Sequence, residues 1–288
     1  MKSFIPKQLG NKIVDFDEYK RYLKGKYRNE KYTSSQFCCA YRYFDCLLDA
    51  SKLLSIAETN RMNVLKSLIA LSKYIGIYDE FKLSLKRYGI KWSNGDNSFN
   101  SFLRIFNHKH DSLPAYLKEI QLHLNDNEKV YVRFLALTGL RVTEAMMSFN
   151  KIIELYSDGK LDDYYNKDMQ VLEHFKFKEI FIRGTKNTYI SFVNRELVNE
   201  ICECKPVTYQ AIYKRLLKKK LKMRLKELRS FNNTFLYKNG LQSEVVDICA
   251  GRIPKSIFIR HYFGEAMDIL SSKVLAIQMD LLKSLFRE

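Results

Sequence analysis

The chain has 288 residues, 46% hydrophobic and 28% charged, which suits one large domain or two ordinary ones and is too apolar for a disordered tail. No run of about 18 apolar residues indicates a membrane span, and the start, MKSFIPKQLGNK, lacks a long apolar stretch behind its lysines, so no secretory signal is expected. The formal net charge of +17 makes nucleic acid the leading partner through Coulomb attraction and counterion release, ahead of an anionic membrane surface or charge kept only for solubility.

From about Val14 to Gly89 the pattern is helical. In SSQFCCAYRYFDCLLDASKLL the apolar residues Phe37, Tyr41, Phe44, Leu47 and Leu48 fall at helical spacing, and NRMNVLKSLIALSKYIG repeats this with Val64, Leu65, Leu68, Ile69 and Leu71 before a stop at Gly76. Around them KRYLKGKYRNEKY and EFKLSLKRYGIKW interleave lysine and arginine with tyrosine. That composition suits a face gripping a phosphate backbone, and equally a solvated helix surface. The turn-rich SNGDNSFN (93–100) and NHKHDSLP (107–114) place a domain boundary near 107–115, giving a helical domain over 1–108, a linker over 109–114 and a second domain over 115–288.

In the second domain DNEKVYVRFLALTG reads as a helix capped by Asp126 or Asn127 and closed by Gly139. EIFIRGTKNTYISFV (179–193) reads as a β-hairpin, two β-branched and aromatic runs flanking Gly184-Thr185-Lys186-Asn187. Helical patterns then resume, through the basic run KRLLKKKLKMRLKELR (214–229) to the amphipathic GEAMDILSSKVLAIQMDLLKSLF, whose Met267, Leu270, Val274, Ile277, Leu281 and Leu285 share a face. The expected fold is mainly α with a small β-hairpin or sheet.

The six cysteines form no disulfide framework, since Cys38 and Cys39 adjoin, Cys202 and Cys204 make a lone C-x-C, and Cys46 and Cys249 stand apart. His108 and His110 have no acidic or cysteine companions, so neither a metal site nor a cofactor is expected. Basic residues in the second domain are the more informative set. Arg141 follows the helix-ending glycine, with Glu144 three residues on; Lys186 lies in the hairpin turn; Lys226 and Arg229 are one helical turn apart; Arg252 precedes Tyr262 by ten residues. Singly, each has an ordinary reading: an Arg–Glu pair, a solvated turn lysine, surface cations, a core tyrosine.

In this order they resemble the tyrosine recombinase (site-specific integrase) family, whose signature falls here on TGLRVTE, GTKN, KELR, GR and RHY, across roughly residues 115–270. Lys226 and Arg252 stand where histidines are common. The resulting set Arg141, Lys186, Lys226, Arg229, Arg252 and Tyr262 looks like that of integrases of archaeal spindle-shaped viruses and related plasmids. About 45 residues separate Arg141 from Lys186, which suggests an insertion near 150–175. The first domain resembles the family's helical core-binding domain in pattern only.

The resemblance implies a DNA strand transferase needing neither metal nor ATP, acting in a host cytoplasm on a double-stranded attachment site to integrate viral or plasmid DNA. Arg141, Arg229 and Arg252 would stabilise the phosphorane-like state, in which guanidinium forks suit the non-bridging oxygens. Tyr262 would be the nucleophile, with Lys226 assisting removal of its proton and Lys186 protonating the departing 5′-oxygen. The product would be a 3′-phosphotyrosyl link, resealed by an incoming 5′-hydroxyl. A homo-tetramer on paired DNA is implied, with the C-terminal helix docked on a neighbouring subunit; packing on its own core is the alternative. The competing functions are a type IB topoisomerase-like enzyme and a non-catalytic basic DNA-binding protein with Tyr262 in its core.

Overall fold

The computed structural model describes residues 4–10, 12–27, 30–91, 99, 102–103, 106, 112–183, 186–253 and 267–286. The chain divides into two compact units, Met1–His108 and Lys109–Glu288.

The first unit starts with a β-hairpin, β1 (Lys7–Leu9) and β2 (Lys12–Val14), which the helical reading from Val14 did not anticipate. Asp15 then caps α1 (Phe16–Lys26), its carboxylate accepting the N–H groups of Asp17 and Glu18. Next comes α2 (Glu30–Arg42), which stops at Tyr43. The single long helix expected here is instead α2 followed by two 3₁₀ segments, Phe44–Cys46 and Ala50–Ser55, the second opened by Asp49 accepting from Ser51. Local bonding by an aspartate competes with the helix ladder, a break that apolar spacing does not reveal. α3 (Glu58–Tyr74) and α4 (Tyr78–Arg87) complete the described unit. Its core gathers Phe16, Tyr19, Leu23, Phe37, Phe44, Leu65, Leu68 and Phe81. Several lysines lie over its rings: Lys7 Nζ is 4.6 Å from the Tyr41 centroid and Lys73 Nζ 4.7 Å from that of Tyr78.

The second unit is built on α5 (Leu113–Gln121), α6 (Asp126–Thr138) and α7 (Val142–Ser157). The cap of α6 is Asn125, in a reciprocal capping box with Glu128, which replaces the expected Asp126 or Asn127. Gly139 ends α6 in the left-handed region, φ 58°. Two small antiparallel pairs follow: β3 (Tyr165–Asn166) with β4 (Val171–Leu172), then, after a one-turn helix α8 (Lys178–Phe181), β5 (Ile182–Arg183) with β6 (Lys186–Asn187). β7 (Ser191–Phe192) leaves that pair and joins β4, with Val171 opposite Phe192. The stretch 150–175 thus supplies the end of α7 and two strands of a three-stranded sheet ordered β3-β4-β7. Four helices carry the chain onward: α9 (Arg195–Cys202), α10 (Tyr209–Lys218), α11 (Glu227–Lys238) and α12 (Ser243–Cys249). The last helix is α13 (Met267–Phe286). The fold is mainly α with small antiparallel sheets, and no helix among the described residues is long and apolar enough to cross a membrane.

The apolar face of α13 is filled by its own unit. Leu281 and Leu285 enter the main core, and Leu270, Val274 and Ile277 join Val171, Phe192 and Leu236. The buried Gln278 amide donates to the carbonyls of Leu137 and Phe192, both at 3.0 Å. Within this chain the helix takes the intramolecular position.

A buried chain of polar groups joins α7 to the sheet. Tyr164 donates to Ser148 at 2.9 Å, so His174 Nδ1–H is the donor to Tyr164 at 2.6 Å, and Nε2 accepts from Ser191 at 2.8 Å. Burial pushes the imidazole down to about 3 and keeps it neutral. Its folded value lies below that of an unfolded histidine, so its stabilising contribution is complete above about pH 6.5 and declines toward pH 3. His174→Gln should lower the melting temperature at pH 7 through loss of this pairing, about 1–3 kcal/mol. Between pH 6.5 and 4 its melting temperature should fall less steeply than that of the wild-type chain. Parallel declines in the two proteins would contradict a neutral buried imidazole.

Candidate active site

The turn between α6 and α7 presents Arg141. Gly139 must be a glycine: its φ is positive, and a Cβ there would collide with the Asn232 side chain. Asn232, buried on α11, donates to the carbonyls of Ala136 and Leu137 at 2.9 and 2.8 Å, and so satisfies the last turn of α6. Arg141 is the first flanking residue of α7, with extended backbone and a side chain about a third exposed. Its Nη1 donates to Glu144 Oε1 at 2.8 Å.

Glu144 is fully buried and holds more than Arg141. The same Oε1 accepts from Arg183 Nη2 at 3.1 Å, and Oε2 accepts from Thr188 at 3.0 Å. One carboxylate thus ties the start of α7 to β5 and to the residue just past β6. Glu144→Gln would leave two guanidiniums around a neutral amide. Removing one partner of a fully buried pair costs about 3–5 kcal/mol, but both arginines are a third exposed, and water offsets part of that. The expected loss is about 1–3 kcal/mol, read as a lower melting temperature; an unchanged melting temperature would contradict the tie.

Arg229, on the first turn of α11, is more enclosed. Its guanidinium donates to the carbonyls of Gly139 at 2.9 Å and Ala250 at 2.6 Å, bridging the Arg141 turn to the end of α12. Burial, then the charges of Arg141 and Arg252, push it down to about 10, which leaves it cationic at neutral pH. Arg141 and Arg252 therefore each lie within electrostatic reach of Arg229. Arg252 itself is exposed and pairs with Asp247 at 3.0 Å. It follows Gly251, where φ is 71° and a Cβ would overlap the Asn187 carbonyl oxygen. That close approach sets the Arg252 turn against β6.

Lys186 is the first residue of β6, with its backbone opposite Arg183, so the connection is residues 184–185 and not the four-residue Gly184–Asn187 turn read from the sequence. Lys226 stands at the N-terminus of α11, three residues before Arg229. It lines a cavity of about 270 Å³ with Val142, Thr143, Tyr209 and Met223, and so opens beside the residues that follow Arg141. Tyr262 lies outside the described residues.

The structure thus gathers Arg141, Arg229 and Arg252, and sets the strand bearing Lys186 and the turn bearing Lys226 alongside. Sequence reasoning missed Arg183, Thr188 and Asn232. Arg183 was within sight, three residues ahead of Lys186 in the hairpin, but its bond to Glu144 spans 39 positions. Chemically, the cluster is a set of fixed donors suited to a phosphate. Among the described residues no group of three or more His, Cys, Asp or Glu could hold a metal ion.

A family model described as archaeal phage integrase matches residues 106–271, more than half of the chain. No curated protein and no solved structure matches significantly.

Proposed function

The chain belongs to the archaeal phage integrase family, and from that premise we propose that it cleaves and rejoins DNA by a tyrosine recombinase reaction, integrating viral or plasmid DNA into a host chromosome. The observation that carries the reading is the arginine cluster: Arg229 bridges the Gly139 and Ala250 carbonyls, and Arg141 and Arg252 flank it. Attack on a phosphodiester adds negative charge to the non-bridging oxygens, and pre-placed guanidiniums stabilise that charge without reorganising.

In this reading the Tyr262 oxygen bonds to phosphorus as the bond to the 5′-oxygen breaks. Lys226 assists removal of the phenol proton, and Lys186 delivers a proton to the departing oxygen. The phosphotyrosyl bond replaces the phosphodiester one for one, so an incoming 5′-hydroxyl reverses the step without ATP. The first unit would grip the duplex, its exposed Lys24, Lys26, Tyr22 and Tyr32 suiting phosphate contacts and stacking. Two strand exchanges need paired duplexes and hence a tetramer. If α13 is exchanged in that tetramer, the neighbour must offer the groove that α13 fills on its own unit.

The test is a nicked suicide substrate, from which the leaving fragment diffuses away. The full chain should form a denaturation-resistant protein–DNA adduct, equally with and without chelator. A strict magnesium requirement would indicate a two-metal nuclease instead, and DNA binding with no adduct would leave only a basic DNA-binding protein. Relaxation of supercoiled plasmid by isolated monomers, without strand exchange between duplexes, would favour the topoisomerase alternative.

A further inference from the structure

The β5–β6 pair has two residue pairs, Ile182 with Asn187 and Arg183 with Lys186. So short a ribbon does not hold its own place, because an isolated hairpin is marginal in water even when longer. Its position comes from its contacts with the body of the unit, and two of the side-chain ties end on one carboxylate. Arg183 on β5 reaches Glu144 Oε1, and Thr188, just beyond β6, reaches Oε2. The oxygen that Arg183 uses is the one bound by Arg141. Two guanidiniums on one carboxylate leave a net positive charge, so Glu144 orients Arg141 without cancelling it.

We propose that Arg183 is a positioning residue: by sharing Glu144 with Arg141, it fixes the strand that carries Lys186 relative to the arginine cluster. The inference rests on the reading of Lys186 as the proton donor to the leaving oxygen. Arg183 is suited to the task because its fork donates at fixed geometry from a side chain about a third exposed. An ammonium on a flexible stem would restore the charge and not the geometry.

A leaving group that needs no proton separates this role from a merely structural one. A 5′-bridging phosphorothiolate expels a thiolate, which departs unprotonated, so only defects in proton delivery are relieved. With the full chain at saturating DNA, Arg183→Ala should slow cleavage of the ordinary phosphodiester about 10- to 100-fold, as loss of a supporting hydrogen-bond partner does. Its Kd for the site should stay within about threefold, because the loss falls on the transition state. The phosphorothiolate should restore most of the lost rate in Arg183→Ala and in Lys186→Ala, and little of it in Arg141→Ala. Arg183→Lys should remain impaired on the phosphodiester. If Arg183→Ala does not fold, Thr188→Val, which removes the second tie without changing shape, should show the same selective rescue.

Wild-type cleavage rates in Arg183→Ala, a loss confined to Kd, or equal losses on both substrates would overturn the proposal. A wild-type chain that forms no adduct on either substrate would overturn the recombinase reading, and the inference with it. Adduct formation with an unrescued Lys186→Ala would remove the proton-donor role and likewise the inference, while leaving the recombinase reading standing.

Discussion

Tyr262→Phe should abolish the covalent protein–DNA adduct while leaving site binding nearly unchanged. Phenylalanine keeps the ring and lacks only the oxygen, so in the proposed reaction the bond to phosphorus cannot form. The expected fall in adduct formation is on the order of 10⁴-fold or more, as for other enzymes deprived of their nucleophile. Gel electrophoresis of suicide-substrate reactions under denaturing conditions measures the adduct, and fluorescence anisotropy measures the binding. An unchanged adduct would exclude this tyrosine. Loss of adduct together with loss of binding would point to a structural ring.

Arg229→Ala should have the next largest effect, because this side chain holds the fold together and, in the proposed reaction, also stabilises the developing charge. Its guanidinium satisfies the carbonyls of Gly139 and Ala250 and lies near Arg141 and Arg252. Truncation removes one fixed donor from the charge that develops at phosphorus, which costs about 10²- to 10³-fold in rate. It also leaves two carbonyls short of donors, at about 1–3 kcal/mol of stability. The salt dependence of DNA binding should weaken by about one phosphate contact. Arg229→Lys is the sharper variant. It keeps the charge but cannot donate to both carbonyls in a fixed fork, so single-turnover cleavage should remain impaired by about 10-fold or more. Full activity in Arg229→Lys would show that charge alone suffices, and cleavage surviving in Arg229→Ala would show that the site assignment is wrong.

Two of the short segments that carry the arginine cluster are legible without coordinates, and the fold shows why. TGLRVTE records a helix stop, a left-handed glycine and the next helix start, all local events with local signals. KELR records a helix turn, and its Lys226 and Arg229 fall where a three-residue step puts them. The mainly helical class follows from apolar spacing for the same reason.

What the chain hides is long-range. β7 reads as the second arm of the hairpin, yet Phe192 pairs with Val171, and no periodicity encodes that partnership. Glu144 reads as the neighbour of Arg141, and its bonds to Arg183 and Thr188 depend on the β5–β6 pair folding back across α7. The break in α2 at Tyr43 and the cap at Asn125 were misread for a different reason. Several residues nearby could each have capped or stopped a helix, and side-chain geometry decided among them. α13 was amphipathic in either setting, so its pattern could not say whose groove it fills.

Mass spectrometry of the linked residue tests the chemistry most directly. After the suicide-substrate reaction, nuclease and protease digestion leaves a peptide bearing a nucleotide stub on the attacked side chain. The expected peptide carries the stub on the Tyr262 oxygen through a 3′-phosphate, at the same yield in the presence of chelator. A stub on any other residue, or a cleaved strand with no peptide attached, would contradict the claim that a phenol surrounded by fixed cations carries the DNA end.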